Sequence, residues 1–289
     1  ICGDGFVDLE GASTEQCDDA NSNAYDACTG CQDLASHLLI TEIVVTPSDG
    51  ELVEIYNPTD STVDLSNVYL ADYPSYYLIT QGTSTSTASD FNVRFPAGSS
   101  IAPGQFVVVS LASASAFVGV YGFAPDYDLA PADAGAPAMI GTFNPSPTAG
   151  SGFSNAGEVV VMFTWDGASN LVTDIDYLLF DADKSDAIDK TGATVNGSTY
   201  LPDTATAAQI HAPSPNTSGN GAHRCDTAET TETTVGGNGT SGHDETSENN
   251  DFAWQNGLAT PGAPPPPGLC PGSAAHGRRA QHERRRLHD

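Results

Sequence analysis

The sequence predicts an all-β protein built as an antiparallel sandwich or barrel, and three observations predict it. Short β-branched runs recur along the middle of the chain, turn signals separate them at close intervals, and helical periodicity is weak throughout. The 289 residues, 39% of them hydrophobic, suffice for a sizeable core in one large domain or two smaller ones.

Residues 1–36 are rich in Gly, Asp, Asn and Ser and carry no strand or helix pattern. The character changes at His37. Leu38–Val45 is a β-branched run, and Glu51–Tyr56 alternates as a half-buried strand does, with Pro47-Ser-Asp-Gly50 as the turn between them. Asn57-Pro58 ends the second strand, because proline cannot donate to a ladder. Further strands are expected at Val63–Leu65, Val68–Ala71, Tyr76–Ile79 and Phe106–Leu111, the last entered through the turn Ala102-Pro-Gly-Gln105. Ser113–Tyr121 is expected as a short helix. Glu158–Trp165 and Leu171–Phe180 read as a hairpin closed by Asp166-Gly-Ala-Ser-Asn170. Residues 122–152 and 213–250, rich in Ala, Pro, Gly, Thr and Ser, read as extended surface loops. The segment Thr260–Gly268 is a stiff polyproline linker.

Charge excludes one class of partner. The formal net charge is -28, from 37 acidic and 9 basic residues, and five of those basics (Arg278, Arg279, Arg284, Arg285 and Arg286) lie in the final segment. The body of the chain therefore repels nucleic acid and anionic membranes, which need clustered Lys and Arg. Solubility of an exported protein, a saline habitat or divalent-cation binding each account for such a surface. No run approaches the ~18 apolar residues of a membrane span. Six cysteines, four of them within the first 31 residues, point to an oxidising compartment, hence an extracellular or cell-surface location. A chain opening at Ile1 without a signal peptide is read as a mature form or a fragment. The Arg- and His-rich stretch after Pro271 matches nothing upstream and is expected to be disordered or the product of a shifted reading frame.

Two family resemblances organise these observations. Cys2-Gly3-Asp4-Gly5, then Glu15-Gln16-Cys17-Asp18-Asp19-Ala20-Asn21, then Asp26-Ala27-Cys28 with Cys31 just after, resembles the myxobacterial cysteine-rich repeat of secreted bacterial proteins. Ala20 and Ala27 stand where that pattern has glycine. From Leu38 onward the chain resembles the lamin tail domain. The residues that carry the likeness are Leu39-Ile-Thr-Glu-Ile43, Glu51-Leu-Val-Glu-Ile-Tyr-Asn-Pro58, Val63-Asp-Leu-Ser-Asn67, Pro103–Val109 and Ala259-Thr-Pro-Gly262. The resemblance implies an immunoglobulin-like β-sandwich, found in nuclear lamins and in exported bacterial proteins, that binds or supports and does no catalysis of its own. The expected organisation is a disulfide module at 1–36, a lamin-tail-like sandwich with long loop insertions at 37–265, and a proline linker with basic tail at 266–289.

Candidate chemistry is confined to cations and cysteines. Asp4, Asp18, Asp19, Asn21 and Asp26 are hard oxygen donors on glycine-rich turns, the kind calcium takes six to eight of, although such side chains also form turns with their own backbone. Asp181, Asp183, Asp186 and Asp189 echo the first half of an EF-hand loop. Asp186 where glycine is needed and Gly192 where glutamate is needed exclude a standard one, leaving another calcium site or a solvated loop. Cys2, Cys17, Cys28 and Cys31 allow three disulfide pairings, with zinc at Cys28-x-x-Cys31 as the competitor. Cys225 and Cys270 are left over; either they bridge, or Cys270 opens a second repeat. No Gly-x-Ser-x-Gly or His-Glu-x-x-His occurs, and the histidines read as solvated loop residues. The expected function is a non-catalytic, calcium-stabilised surface or matrix module. Its partners would be cell-surface or matrix proteins or polysaccharide, with no prediction of oligomeric state. The alternative is an accessory part of an exported nuclease or phosphodiesterase whose catalytic domain lies elsewhere.

Overall fold

Apolar residues at alternate positions give each main strand two faces to cover, and the chain covers both by stacking two sheets and draping loops over their outer sides. The computed structural model describes residues 7, 16–18, 25, 35–82, 89–129, 135–142, 152–181, 186–233 and 236–270. The strands are β1 (Leu39–Val44), β2 (Leu52–Tyr56), β3 (Val63–Asp64), β4 (Val68–Ala71), β5 (Asn92–Arg94), β6 (Ser100–Ile101), β7 (Phe106–Ser110) and β8 (Tyr127–Asp128). They continue as β9 (Ile140–Gly141), β10 (Glu158–Thr164), β11 (Thr173–Phe180), β12 (Thr194–Val195), β13 (Ser198–Thr199), β14 (Asn220–Arg224) and β15 (Trp254–Leu258). Two helices, α1 (Ala114–Tyr121) and α2 (Asn250–Ala253), accompany them.

A six-stranded sheet, in the order β15-β14-β1-β2-β7-β8, faces a five-stranded sheet, β11-β10-β4-β5-β9. Within these two sheets the described strand pairs are antiparallel except β7–β8. The result is the predicted β-sandwich of immunoglobulin-like type. Between the sheets lie Ile43, Val53, Ile55, Val109 and Trp254 from one side and Leu70, Val93, Val160, Met162 and Phe180 from the other. Removing each such side chain from water stabilises by about 1.5–3 kcal/mol.

Both outer faces are covered too. On the five-stranded sheet, Tyr69, Val161, Phe163 and Tyr177 meet Tyr76, Ile79, Ile188 and Tyr200 from the loops. On the six-stranded sheet, Val44, Leu52 and Val108 receive Phe117 of α1. That helix starts where Ser113 Oγ accepts from Ala116 N at 3.3 Å and stops at Gly122, whose φ of 80° is left-handed. Glu51–Tyr56, expected to be half-buried, is buried throughout for this reason.

Two expectations are corrected. Residues 76–81 form a 3-10 helix in place of a strand, because Tyr76 and Ile79 plug the outer face of the sheet instead of extending its edge. Residues 213–250 are not only loop: β14 runs through them and pairs with β1, with Glu42 opposite His223 and Ile43 opposite Ala222. The helix at 113–121 and the hairpin β10–β11 stand as expected.

Two bulges reset side-chain direction. In β11, Asp176 pairs with Met162 but Asp174 pairs with Phe163, leaving Ile175 as the extra residue. In β1 the register shifts between Ile40 and Glu42.

Candidate functional site

One end of the sandwich gathers acidic residues. β4 ends just before Asp72, β5 is entered just after Asp90, and β10 begins at Glu158. A carboxylate oxygen from each of Asp72, Asp90 and Glu158 lies within 4.8 Å of the others. Asp72 is fully buried; one oxygen accepts from Phe91 N at 2.5 Å, and the other has no hydrogen-bond partner. Burial, then the charge of Glu158, pushes its pKa well up. Burial likewise pushes Glu158 up to about 7, opposed by the Ser154 N–H and reinforced by Asp186, Asp90 and Glu51. Buried carboxylates this close cannot all ionise without a cation or a shared proton. Hard oxygens on loops are the donor type calcium takes.

The sequence-derived candidates distribute unevenly around this cluster. Of the EF-hand-like loop, Asp186 stands near enough for its charge to raise Glu158. Asp181 takes a bond from Asn216 Nδ2, 35 residues on, at 3.3 Å, whereas exposed Asp189 accepts from Thr191 N at 2.9 Å in a local turn. Asp183 lies outside the described residues, as do Asp4, Asp19, Asn21, Asp26, Cys2, Cys28 and Cys31. Asp18 is half-buried, and Cys17 is disulfide-bonded. Cys225 and Cys270 form a disulfide across 45 residues of chain. Tyr25 packs on the sandwich, its ring against Tyr56 and Phe106 and its hydroxyl donating to Arg224 O at 2.5 Å.

Asp72, Asp90 and Glu158 had no signature to find. They are 18 and 68 residues apart, and only the meeting of three strand ends joins them. The histidines were misread. His37 and His223 are buried, and His243 lies against Glu232 with Nδ1 2.5 Å from Oε2.

Buried charge elsewhere is matched within the fold. Arg224 lies over the Trp254 ring; Nη2 reaches Asp176 Oδ1 at 2.7 Å, Nη1 reaches Glu248 Oε1 at 2.6 Å, and Nε donates to Ile40 O at 2.8 Å. Lys190 Nζ stands 2.8 Å from Asp174 and 2.9 Å from Asp203, and the Tyr76 hydroxyl donates to Asp174. On the outer face of the six-stranded sheet, Glu42 and Glu54 sit opposite one another across β1 and β2. The Thr260 N–H donates to Glu42 at 3.0 Å, and the Gly262 N–H donates to Glu54 at 2.6 Å. Ala259–Gly262 is thus a strap over two buried carboxyls. Burial raises both, Glu54 to about 8.

A cavity of about 350 Å³ beside the acidic end is bordered by Ser48, Asp49, Glu51, Leu111, Ser113 and Phe153, with no histidine, cysteine or lysine among the described residues that line it. Glu51 is occupied, accepting from Phe153 N at 3.0 Å. No described helix is long and apolar enough to cross a membrane.

A known family agrees with this architecture. Residues 32–200 match the family model described as Lamin Tail Domain. Among solved structures, the chain is similar to a DUF4876 family protein from Bacteroides thetaiotaomicron, at 16% identity and a TM-score of 0.43, over 81% of this chain and 72% of that one. No curated protein matches.

Proposed function

Since the chain belongs to the lamin tail domain family, we propose that it is a non-catalytic interaction or structural module of an exported protein, with its acidic loop end held by calcium. The observation that carries this reading is Asp72, buried to its tip beside Asp90 and Glu158 with one oxygen lacking any hydrogen-bond partner. A cation there would remove the mutual repulsion and tie together the ends of β4, β5 and β10. The shifted carboxyls are enclosed by the fold instead of arrayed around an open cleft, which supports a binding or scaffolding role over turnover. The bonded cysteines support export, because such bridges persist in oxidising compartments. The acidic body favours surface or matrix proteins and polysaccharides as partners and disfavours nucleic acid.

Chelated protein should gain about 5–10 °C in Tm when calcium is added at 100 times its Kd, from about 2.7 kcal/mol of linkage at about 2–4 °C per kcal/mol. Asp72→Asn and Glu158→Gln should each abolish that gain. A Tm indifferent to calcium would overturn the cation part of the reading. Turnover of esters, phosphodiesters or glycosides by the isolated chain would overturn the non-catalytic part.

A further inference from the structure

The opposite end of the sandwich, where β1 begins, holds a cluster of different chemistry. His37 precedes β1, Glu229 follows β14 in a left-handed turn at φ 51°, and His243 follows the single-turn helix Thr240–Gly242. Ala35 N donates to Thr227 O at 2.9 Å and Asp244 N to Thr233 O at 2.8 Å, which holds the three segments together. One ligand atom from each of His37, Glu229 and His243 lies within 4.8 Å of the other two. The two rings are 5.9 Å apart and nearly perpendicular, at 87°.

Both imidazoles have their Nδ1 engaged by groups that accept. His37 Nδ1 lies 3.1 Å from the Leu38 carbonyl oxygen, and His243 Nδ1 lies 2.5 Å from Glu232 Oε2. A carbonyl can only accept, and a carboxylate accepts when ionised, so each ring keeps its proton on Nδ1 and turns a lone pair outward at Nε2. This is how protein hosts fix a metal-binding histidine: the far nitrogen donates to a carbonyl or carboxylate.

His37 Nε2 is 3.0 Å from Glu229 Oε2 and shut off from solvent. Two acceptors pressed together in a dry site require something positive between them. A proton is one answer.

Charge balance asks for more than a proton. Glu229 and Glu245 lie within 4.8 Å of Asp176, and Glu232 and Glu245 within 4.8 Å of His243. Arg224 pairs closely with Asp176 and Glu248 and stands 3.7 Å from Glu229, one guanidinium among four carboxylates with Glu245. Glu245 Oε1 is buried without a hydrogen-bond partner, and burial with the neighbouring Glu232 raises its pKa well above the usual carboxylate value.

We propose that His37, Glu229 and His243 form a binding site for a divalent transition metal of the zinc class, with Glu232 and the Leu38 carbonyl orienting the two rings. Two imidazole nitrogens and a carboxylate suit zinc, whereas calcium and magnesium take oxygen alone. Glu245, close to both His243 and Glu229, is placed to supply a fourth donor. The His243 side chain, partly buried at 22% exposure, gives the ion its way in and makes this the ligand whose loss disturbs the core least. The site is independent of the acidic cluster, since β1 separates the two ends by about 20 Å, the length of six strand residues.

Equilibrium dialysis of the chelated full chain against zinc, followed by metal analysis, tests the proposal. Wild type should bind one more zinc per chain than His243→Ala. Cobalt(II) in the same site should show the intense visible bands of tetrahedral nitrogen and oxygen ligation, absent in the variant. Glu232→Gln should keep the site but weaken zinc binding about 10–100-fold. Asp72→Asn, which removes the calcium response, should leave zinc binding unchanged. Equal zinc retention by wild type and His243→Ala would overturn the proposal, as would displacement of the zinc by calcium. If His243→Ala proves unfolded by circular dichroism, Glu232→Gln decides: zinc affinity equal to wild type would overturn it.

Discussion

Asp174 and Asp176 stand two residues apart on one strand and serve opposite faces of the same sheet. The extra residue Ile175 turns Asp174 outward to Lys190 and Tyr76, and turns Asp176 inward to Arg224 and the Ile40 N–H. Without the bulge both would share a face, and one of the two buried cations would face no aspartate from this strand.

Lys190→Met should therefore cost about 3–5 kcal/mol, because Asp174 and Asp203 would keep their charges in a dry site with no cation. Replacing Asp174 by Asn in the same chain should recover part of the loss. Urea midpoints of the single and double variants measure both effects. Additive losses would mean the two groups do not interact.

Stability should fall with rising pH in a way that Glu54 controls. Its pKa is 4.5 in the unfolded chain and about 8 in the fold, where burial outweighs the hydrogen bonds from Thr41, Gly262 and Ala263. The folded state thus holds the proton more tightly. That contribution is complete below pH 4.5, declines as pH rises, and is gone once the pH passes about 8. At about 1.4 kcal/mol per unit, a few kcal/mol are involved. Glu54→Gln cannot ionise, so its denaturation midpoints should vary less across this window than those of wild type. Parallel profiles would show that Glu54 is solvated.

The Cys225–Cys270 bridge closes a 45-residue span and should be worth about 4 kcal/mol by chain entropy. The double Ser variant isolates this bond from other disulfides. An unchanged guanidinium midpoint would show that the closing segment adds nothing to the cooperative unit.

Two glycine-to-alanine changes should have opposite signs. A Cβ on Gly221 would stand 2.4 Å from Glu42 Oε1, so Gly221→Ala should destabilise by about 1–3 kcal/mol. Gly119, exposed within α1, has open space at that position, and Gly119→Ala should stabilise by about 0.5–1 kcal/mol. Thermal melts of the two variants read the contrast directly.

How far the chain could be read without coordinates varied with the kind of interaction. β1, β2, β7, β10 and β11 announced themselves because apolar alternation is local. β14 did not: Asn220-Gly-Ala-His-Arg224 has little β propensity, and it becomes a strand only because β1 and β15 flank it. Thr173-Asp-Ile-Asp176 reads as a strand with a wet face, since no local signal marks a bulge or a buried counter-charge. His37, His223 and His243 looked like loop histidines for the same reason: their partners lie tens to hundreds of residues away. The acidic loop at 181–189 was visible as a cation candidate, but the carboxyl its Asp186 acts on, Glu158, belongs to another strand. Whether the donors of the first 31 residues hold an ion lies outside the described residues.

The strap of Ala259–Gly262 joins carboxyls 208 and 218 residues away to a turn late in the chain. β1, near the beginning, sits at the middle of the larger sheet, and its neighbour β14 arrives only after every other strand but β15. During vectorial synthesis or secretion, the β1 edge must therefore wait for β14, and the two glutamates for Thr260 and Gly262, to emerge. A chain released before residue 262 would expose an open strand edge to its neighbours, so aggregation of early-stopped products is the hazard this topology carries.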